Sequence, residues 1–285
     1  MSKIIPISLN FELAVSPEKK LTRQVCAFAV QGKDLCLIDT GTAANEMDLN
    51  RALADMGRDL SEIELVIHTH AHPDHIGCSA RLSELASPTF AAHPAATRWI
   101  ENPNIHYRER AVLNFYEMVG GAVNVNHLLR DGEIVDLGGV KLRVIYTPGH
   151  SKGSVSLFFP KEETLIVGDA VPQLLGIPLY TDLDLSRTSL ENLLDLKGVR
   201  YLYSSLSPDP IEGDEIRSTL EEGLTYLDRM VALVSKTKAR MGVETALPDL
   251  TAEVLRGLGL DPPPVMPMTL QTVSAHLENQ SHYQE

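Results

Sequence analysis

One short loop constrains this chain more than any other part of its sequence. The apolar stretch 64–67 predicts a buried strand, and four metal-binding side chains follow it: His70, His72, Asp74 and His75. Pro73 predicts a loop rather than a helix through this cluster, because proline lacks an N–H and restricts the residue before it. Imidazole and carboxylate ligands together suit zinc, iron, manganese or cobalt. The cluster therefore predicts a metal site on a loop at the end of a strand.

Two later segments supply further candidate ligands. The stretch 142–146 predicts a strand, and the turn at Pro148-Gly149 then presents His150. A second strand, predicted at 164–167, ends at Asp169, where an unpaired carboxylate beside apolar residues would be costly. A cation beside Asp169 removes that cost. By contrast, the position of His68 in line with the preceding strand favours a packed or hydrogen-bonded side chain.

Taken together, these segments resemble the motifs of the metallo-β-lactamase fold superfamily, and in particular its glyoxalase II-like hydrolases. The matching motifs are D-T-G at 39–41, H-x-H-x-D-H at 70–75, T-P-G-H-[ST]-x-G-S at 147–154 and G-D at 168–169. The resemblance implies an α+β four-layer αβ/βα sandwich with a metal centre at the edge between two sheets. By the family's pattern, His70, His72 and His150 hold one metal ion, Asp74 and His75 hold a second, and Asp169 bridges both.

One motif of the family is missing. A histidine is expected after the last strand of the sandwich as the final ligand of the second ion, and Ser207 stands where we expect it. Serine is a poor ligand for a divalent ion, so the second position would be completed by water or by a carboxylate such as Asp209. We therefore expect one or two divalent ions, with a weaker second site. Zinc is the favoured ion, with iron and manganese as alternatives.

The sequence pattern divides the chain into a sandwich at 1–213 and a helical C-terminal extension at 214–285. Apolar residues at helical spacing predict helices over 216–239 and 250–258, and a third helix from residue 268. We expect this extension to cover one edge of the sandwich and to shape a substrate pocket. His276 on the last helix is predicted to be packed or solvent-facing, and the alternative is that it reaches the pocket.

Residues 107–119 predict a single helix, and the resemblance implies that this helix lies over the mouth of the site. Four side chains in and before this stretch are predicted to lie on the surface, and the alternative for each is a place in the pocket wall: His93, His106, Tyr107 and Arg110. Asp39 has two interpretations of equal weight. It either orients an imidazole from behind or caps the turn at Gly41.

Composition limits the partners of this 285-residue chain. Its net charge of −13 argues against nucleic acid, since phosphate binding depends on basic patches. No segment approaches the roughly 20 apolar residues that span a bilayer. Three scattered cysteines and the lack of a recognisable signal peptide predict a cytoplasmic protein. We expect a small-molecule substrate and leave a homodimer open.

These observations predict a metal-dependent hydrolase that cleaves an ester- or thioester-like bond in a small molecule. Water at the metal would lose a proton near neutral pH and act as the nucleophile, with Asp74 as the catalytic residue that orients it and passes a proton onward. Three alternatives remain open. They are an iron-dependent oxidoreductase of the persulfide dioxygenase type, a phosphodiesterase or ribonuclease, which the acidic charge disfavours, and a metal-binding regulator with little turnover. The sequence does not identify the substrate.

Overall fold

The computed structural model of the chain describes residues 4–173, 179–242, 244–261 and 265–282, with side chains as far as residue 277. Its first sheet has six strands that neighbour one another in chain order. They are β1 (Ile4–Ser16), β2 (Lys19–Gln31), β3 (Leu35–Ile38), β4 (Ile63–Ile67), β5 (Thr89–Ala92) and β6 (His127–Leu128). The first three pair antiparallel and the last four pair parallel. The parallel half requires helical crossovers, which the intervening residues supply.

The second sheet also has six strands, again in chain order. They are β7 (Ile134–Asp136), β8 (Lys141–Tyr146), β9 (Val155–Phe159), β10 (Thr164–Ile166), β11 (Tyr201–Tyr203) and β12 (Ile211–Glu212). All neighbours are antiparallel except β10 and β11, which are parallel and are connected through a helix. All five residues of β9 are buried, as expected for a strand with both faces covered.

Helices cover the outer face of each sheet. In chain order they are α1 (Glu46–Asp55), α2 (Pro73–Ile76), α3 (Ser79–Leu85), α4 (Pro94–Glu101), α5 (Pro103–Glu109), α6 (Phe115–Met118), α7 (Leu183–Asp195), α8 (Asp214–Met241), α9 (Leu247–Gly257) and α10 (Pro267–His282). Side chains from both sheets, including Phe28, Val144 and Phe159, form one core cluster between them. Helices α1 and α3 pack on the first sheet, and α7 and α8 pack on the second. The structure is therefore the predicted αβ/βα sandwich with a C-terminal helical extension.

The extension is continuous with the sandwich at one end and builds its own small core at the other. Leu220 and Leu227 of α8 share a core cluster with Leu190 of α7. Farther along, Met230 packs with Val254 of α9 and with side chains of α10. Among the described residues, no helix combines the length and the apolar character that crossing a membrane requires. The division of the chain at 213/214 stays a prediction.

Two local predictions were wrong. Pro73 does not exclude a helix. It occupies the first position of α2, where a missing N–H costs nothing. The single helix expected over 107–119 is broken, because α5 ends at Glu109 and α6 begins at Phe115. Arg110 has dihedral angles outside the helical region (φ −145°, ψ 77°), so α5 ends before it.

Candidate metal centre

The loops that follow β4, β8, β10 and β11 meet at one edge of the sandwich. Backbone hydrogen bonds connect these loops there: the Val155 amide donates to the Thr69 carbonyl at 2.8 Å, and the Ser205 amide donates to the Gly168 carbonyl at 3.1 Å. His68 closes the end of β4, and its buried ring lies 3.1 Å from the Ser79 hydroxyl, as its packed interpretation predicted. The loop 69–75 and the loops around residues 150 and 169 are thereby held against one another.

Three imidazoles converge at this edge. The Nδ1 atom of His72 lies 3.0 Å from Nε2 of His70 and 2.9 Å from Nε2 of His150, although His150 is 78 residues away in the chain. All three side chains are buried. Nitrogens bound to one tetrahedral zinc at about 2.0–2.1 Å are about 3.3 Å apart. The observed separations are within a few tenths of an ångström of that geometry.

Outer hydrogen bonds determine which nitrogen of two of these rings carries the proton. His150 Nδ1 faces the Leu179 carbonyl at 2.6 Å, and a carbonyl only accepts, so this nitrogen donates. The Thr69 hydroxyl donates to Asp39 at 2.6 Å and therefore accepts from His70 Nδ1 at 3.1 Å. In the neutral rings, both Nε2 atoms consequently present lone pairs towards His72.

Burial lowers the pKa of His70, His72 and His150, and neighbouring positive charges lower it further for each ring. When all three rings are neutral, the one N–H that can point into their centre is that of His72 Nδ1. A single N–H cannot donate well to the facing Nε2 lone pairs of both His70 and His150. A cation at the centre satisfies all three nitrogens at once. This donor set therefore fits a divalent transition metal.

A second group of possible ligands adjoins the first. His75 Nε2 lies 3.6 Å from Asp169 and 3.9 Å from Asp74, and it is a buried nitrogen without a hydrogen-bond partner. Asp169 also lies 3.4 Å from His150 Nε2, so its carboxylate stands between the two groups. Burial alone would lower the pKa of His75, but Asp39, Asp169 and Asp74 raise it to about 10.

Asp39 lies behind both groups. Its carboxylate accepts from the Thr69 amide at 2.8 Å, from the Thr69 hydroxyl and from His75 Nδ1 at 2.8 Å. These contacts favour the interpretation that Asp39 orients imidazoles. Its backbone is left-handed (φ 57°), a conformation that aspartate adopts more readily than most residues. The motif residue Asp39 is thus positioned by an uncommon backbone conformation.

The structure corrects the position of the missing histidine. Ser205, not Ser207, reaches the site: it is fully buried and donates a hydrogen bond to Asp169. Burial raises the pKa of Asp169, but His75, His150 and this hydrogen bond outweigh it and lower the pKa overall. The Ser207 hydroxyl instead accepts from the amide of Asp209, whose side chain is exposed. Counting along the sequence placed the substitution two residues too far.

Two of the four residues expected on the surface are buried: His106 and Arg110. His106 stacks at 4.3 Å on Trp99, which in turn faces the His72 ring at 6.4 Å. The predicted helix over 107–119 did not include His106 and did not anticipate the end of α5 at Glu109, directly before the buried Arg110. His93 and Tyr107 are partly exposed, and the His93 ring stacks on Tyr146 at 4.2 Å.

A cavity of about 280 Å³ lies beside the imidazoles. Its wall includes Ala71 and Ser151, which are chain neighbours of the converging histidines, and the ring of Trp99. The charged side chains at its edge are Arg98, Glu109 and Lys152. Gln271 of α10 also lines this cavity, which agrees with the expectation that the C-terminal extension shapes a pocket.

Helix α10 also supports the site from behind. The Thr272 hydroxyl accepts from the Tyr180 amide at 3.2 Å and donates to the Tyr180 carbonyl at 3.1 Å. This fixes the segment whose Leu179 carbonyl holds His150. His276 is buried and contacts the Tyr180 hydroxyl at 2.5 Å, as its packed interpretation predicted, and burial lowers the pKa of His276 to about 4.

Comparison with known proteins agrees with this geometry. The profile of the metallo-β-lactamase superfamily matches residues 21–205. The chain therefore belongs to the metallo-β-lactamase superfamily. A crystal structure of a metallo-β-lactamase family protein from Thermus thermophilus superposes with a TM-score of 0.74 at 23% identity, covering 97% of this chain and 94% of that one. At this identity the likeness shows the shared fold.

Three relatives resemble the chain in sequence. An uncharacterized protein of Mycobacterium tuberculosis is 33% identical over 130 residues, 44% of this chain and 54% of that protein, so the chain spans about half the length of this relative. A probable metallo-hydrolase of Bacillus subtilis, YqgX, is 30% identical over 53% of this chain and 67% of its own. An acyl-coenzyme A thioesterase of Gallus gallus, MBLAC2, is 28% identical over 38% of this chain and 41% of its own.

Proposed function

We propose that the chain is a metal-dependent hydrolase in which His70, His72, His150 and Asp169 hold a divalent ion. One observation carries the proposal: His72 Nδ1 lies 3.0 Å from His70 Nε2 and 2.9 Å from His150 Nε2, and outer hydrogen bonds direct the lone pairs of the two Nε2 atoms inwards. Neutral imidazoles with a single carboxylate leave most of the charge on a bound ion. Zinc is the favoured ion, with iron and manganese as alternatives.

A second ion would take Asp74 and His75 as ligands, with Asp169 shared between the two ions. Ser205 stands beside Asp169 where another imidazole would complete this position. A hydroxyl is a weaker ligand than imidazole for a divalent transition metal, so we expect the second ion to bind less tightly than the first. The centre thus works with one or two ions.

When bound, the ion supplies an acidified water and polarises the carbonyl of the substrate. The chain's own residues orient the water, accept its proton and bind the substrate. We assign to Asp74, which is partly exposed and lies 3.9 Å from His75, the role of orienting the attacking water and accepting its proton. The adjacent cavity holds the substrate, with Trp99 as an apolar wall and α10 as one side.

The substrate of this proposal is a small molecule with an ester- or thioester-like bond, as in the glyoxalase II-like branch of the superfamily. The names of two relatives, a probable metallo-hydrolase and an acyl-coenzyme A thioesterase, support this class, although each aligns with only part of the chain. The net charge of −13 disfavours nucleic acid as a substrate. A cytoplasmic location remains a prediction.

The test combines metal analysis with a panel of esters, thioesters, lactones and phosphodiesters. Protein stripped with a chelator should lose hydrolysis and regain it with zinc. His70→Ala and Asp169→Ala should each reduce turnover by roughly a thousandfold or more, because each removes a ligand, while circular dichroism stays unchanged. The matched control is His127→Ala, a half-exposed histidine paired with Glu133 outside the centre, which should leave turnover unchanged.

Three outcomes would contradict the proposal. Hydrolysis that persists in metal-stripped protein would remove the metal from the mechanism. Oxygen consumption with bound iron and no hydrolysis would identify an oxidoreductase. Tight metal binding without turnover of any compound in the panel would favour a regulator.

A further inference from the structure

Trp99 is the only tryptophan of the chain, and its ring forms part of the cavity wall. It belongs to α4 and is partly exposed. The His106 ring from α5 lies nearly parallel to it, with 4.3 Å between the ring centroids and 9° between the planes. The His72 ring of the first metal position lies 6.4 Å away. The tryptophan thus stands between the metal centre and the α4–α5 hairpin.

His106 acts as a flat support for the tryptophan. Its side chain is fully buried, and neither of its ring nitrogens has a hydrogen-bond partner within the part of the chain that the structure describes. Burial lowers the pKa of His106 to about 3, so the ring is neutral near physiological pH. Phe115 packs edge-on against it, with 4.9 Å between the centroids. An imidazole without polar partners contributes through its flat surface, and here that surface covers one face of Trp99.

Glu109 fixes the edge of the same tryptophan. Its Oε2 accepts a hydrogen bond from Trp99 Nε1 at 2.7 Å, and its Oε1 lies 2.8 Å from the Arg98 guanidinium. An exposed ion pair of this kind contributes little, whereas a charge-assisted hydrogen bond to the indole is strong and directional. The bond also occupies the only polar atom of the tryptophan side chain. The surface that Trp99 offers to the cavity is therefore apolar.

We propose that Glu109 is a positioning residue that holds Trp99 as a preformed apolar wall, and that this wall selects substrates with a flat apolar group, such as an arylalkyl acyl chain, beside the scissile bond. The inference rests on the proposed function, because the wall adjoins the metal centre at which the bond is cleaved.

The shape of the cavity supports this substrate class. Its volume of about 280 Å³ is close to the lower limit of small-molecule sites, roughly 300 Å³, so it takes a compact group. Ala71, Ala95 and Ala96 also line it, and their small side chains leave room opposite larger neighbours. A ring that is fixed before binding lowers the ordering cost for a substrate that packs on it, and two flat rings gain from stacking.

The first experiment compares two thioesters of the same thiol, phenylacetyl and acetyl, with zinc-loaded protein. Wild type should have a KM roughly tenfold or more lower for the phenylacetyl compound, because its ring is buried against Trp99. Glu109→Met keeps the side-chain length but cannot accept the indole N–H. It should raise this KM about three- to tenfold, with kcat and the acetyl KM changing by less than about twofold. Glu109→Gln keeps an acceptor oxygen and should recover most of the preference.

The matched control is Glu84→Met. Glu84 also pairs with an arginine, Arg81, at 2.8 Å, but it lies on α3 and does not line the cavity. This variant should leave both KM values unchanged.

The second experiment needs no turnover, because the single tryptophan reports on the wall directly. Phenylacetamide, a neutral probe, should change the emission of Trp99 saturably, with or without zinc, and acetamide should not. Glu109→Met should raise the Kd of phenylacetamide about three- to tenfold and make the emission easier to quench with acrylamide.

The inference is overturned if wild type shows no preference for the phenylacetyl compound, if Glu109→Met changes neither KM nor Kd, or if Glu109→Gln loses as much as the methionine variant. Glu109→Ala carries the same expectation and serves if the methionine variant does not fold, as judged by circular dichroism. Hydrolysis of neither thioester by zinc-loaded wild type would contradict the proposed function, and the phenylacetamide titration would still decide whether Glu109 holds the wall. Normal hydrolysis without any effect of Glu109 would overturn only this inference.

Discussion

The two halves of the centre are built differently. The first position consists of three buried imidazoles, and two of them are fixed from behind by hydrogen bonds to Thr69 and to the Leu179 carbonyl. The second position has a single imidazole, that of His75, together with two partly exposed carboxylates. The first position is therefore characterised by the fixed geometry of its imidazoles, and the second by the charges of its carboxylates.

Under the proposed function, this difference would make the first metal position the tighter of the two. Outer hydrogen bonds orient the first-position rings before any ion arrives, which reduces the cost of binding. At the second position, Ser205 donates a hydrogen bond to Asp169, one of the carboxylates that a second ion would use.

The largest effect in this comparison is expected from Asp39→Asn, because Asp39 supports both halves. Asparagine tolerates the left-handed backbone but loses the negative charge and one acceptor that hold Thr69 and His75. We expect the affinity for the first zinc to fall about 10- to 100-fold. Competitive zinc titration measures this, with Asp184→Asn at an exposed position of α7 as the control. Unchanged affinity would show that the first position needs no support from Asp39.

A smaller effect is expected from Ser205→Ala. The hydrogen bond from Ser205 is one cause of the lowered pKa of Asp169, so its removal raises that pKa and loosens the carboxylate. Zinc affinity should fall by roughly three- to tenfold, and the acid limb of the zinc-binding pH profile should move to higher pH. Ser207→Ala, the matched control, should change neither. An effect of Ser207→Ala equal to that of Ser205→Ala would return the missing-ligand position to residue 207.

The smallest effect concerns a histidine outside both positions. Burial lowers the pKa of His276 to about 4, whereas a histidine in an unfolded chain titrates near 6.5. As the pH falls, the unfolded state therefore binds this proton before the folded state does. The contribution of neutral His276 to stability is complete above about pH 6.5 and is lost as the pH falls towards 4.

His276→Gln should thus flatten the decrease in unfolding free energy between pH 7 and pH 4.5 by on the order of 1–3 kcal/mol. Denaturant unfolding of metal-stripped wild type and variant at both pH values measures the difference. Identical decreases in the two proteins would show that this packed histidine does not contribute. If added zinc changes the difference between the pH-dependent decreases of wild type and variant, His276 belongs with the metal centre.

Much of the fold could be predicted because its signals are local. Strand β4 (Ile63–Ile67) covers the predicted stretch 64–67, and α8 begins at residue 214, where the extension is predicted to begin. These elements are marked by apolar periodicity and by turn residues, which depend on neighbours in the chain. The break between α5 and α6 could not be predicted in this way, because the burial of Arg110 after α5 is a property of tertiary packing and has no local sequence signal.

The sequence by itself determined the superfamily, the sandwich and the residues that could bind a metal, since H-x-H-x-D-H and its companion motifs specify ligand chemistry directly. Tertiary structure alone decided which serine contacts Asp169, which ring nitrogens face inwards and that His106 and Arg110 are buried. The physical reason is that these features are set by distances of a few ångströms between segments that are tens of residues apart. Spacing along a chain carries no information about such distances.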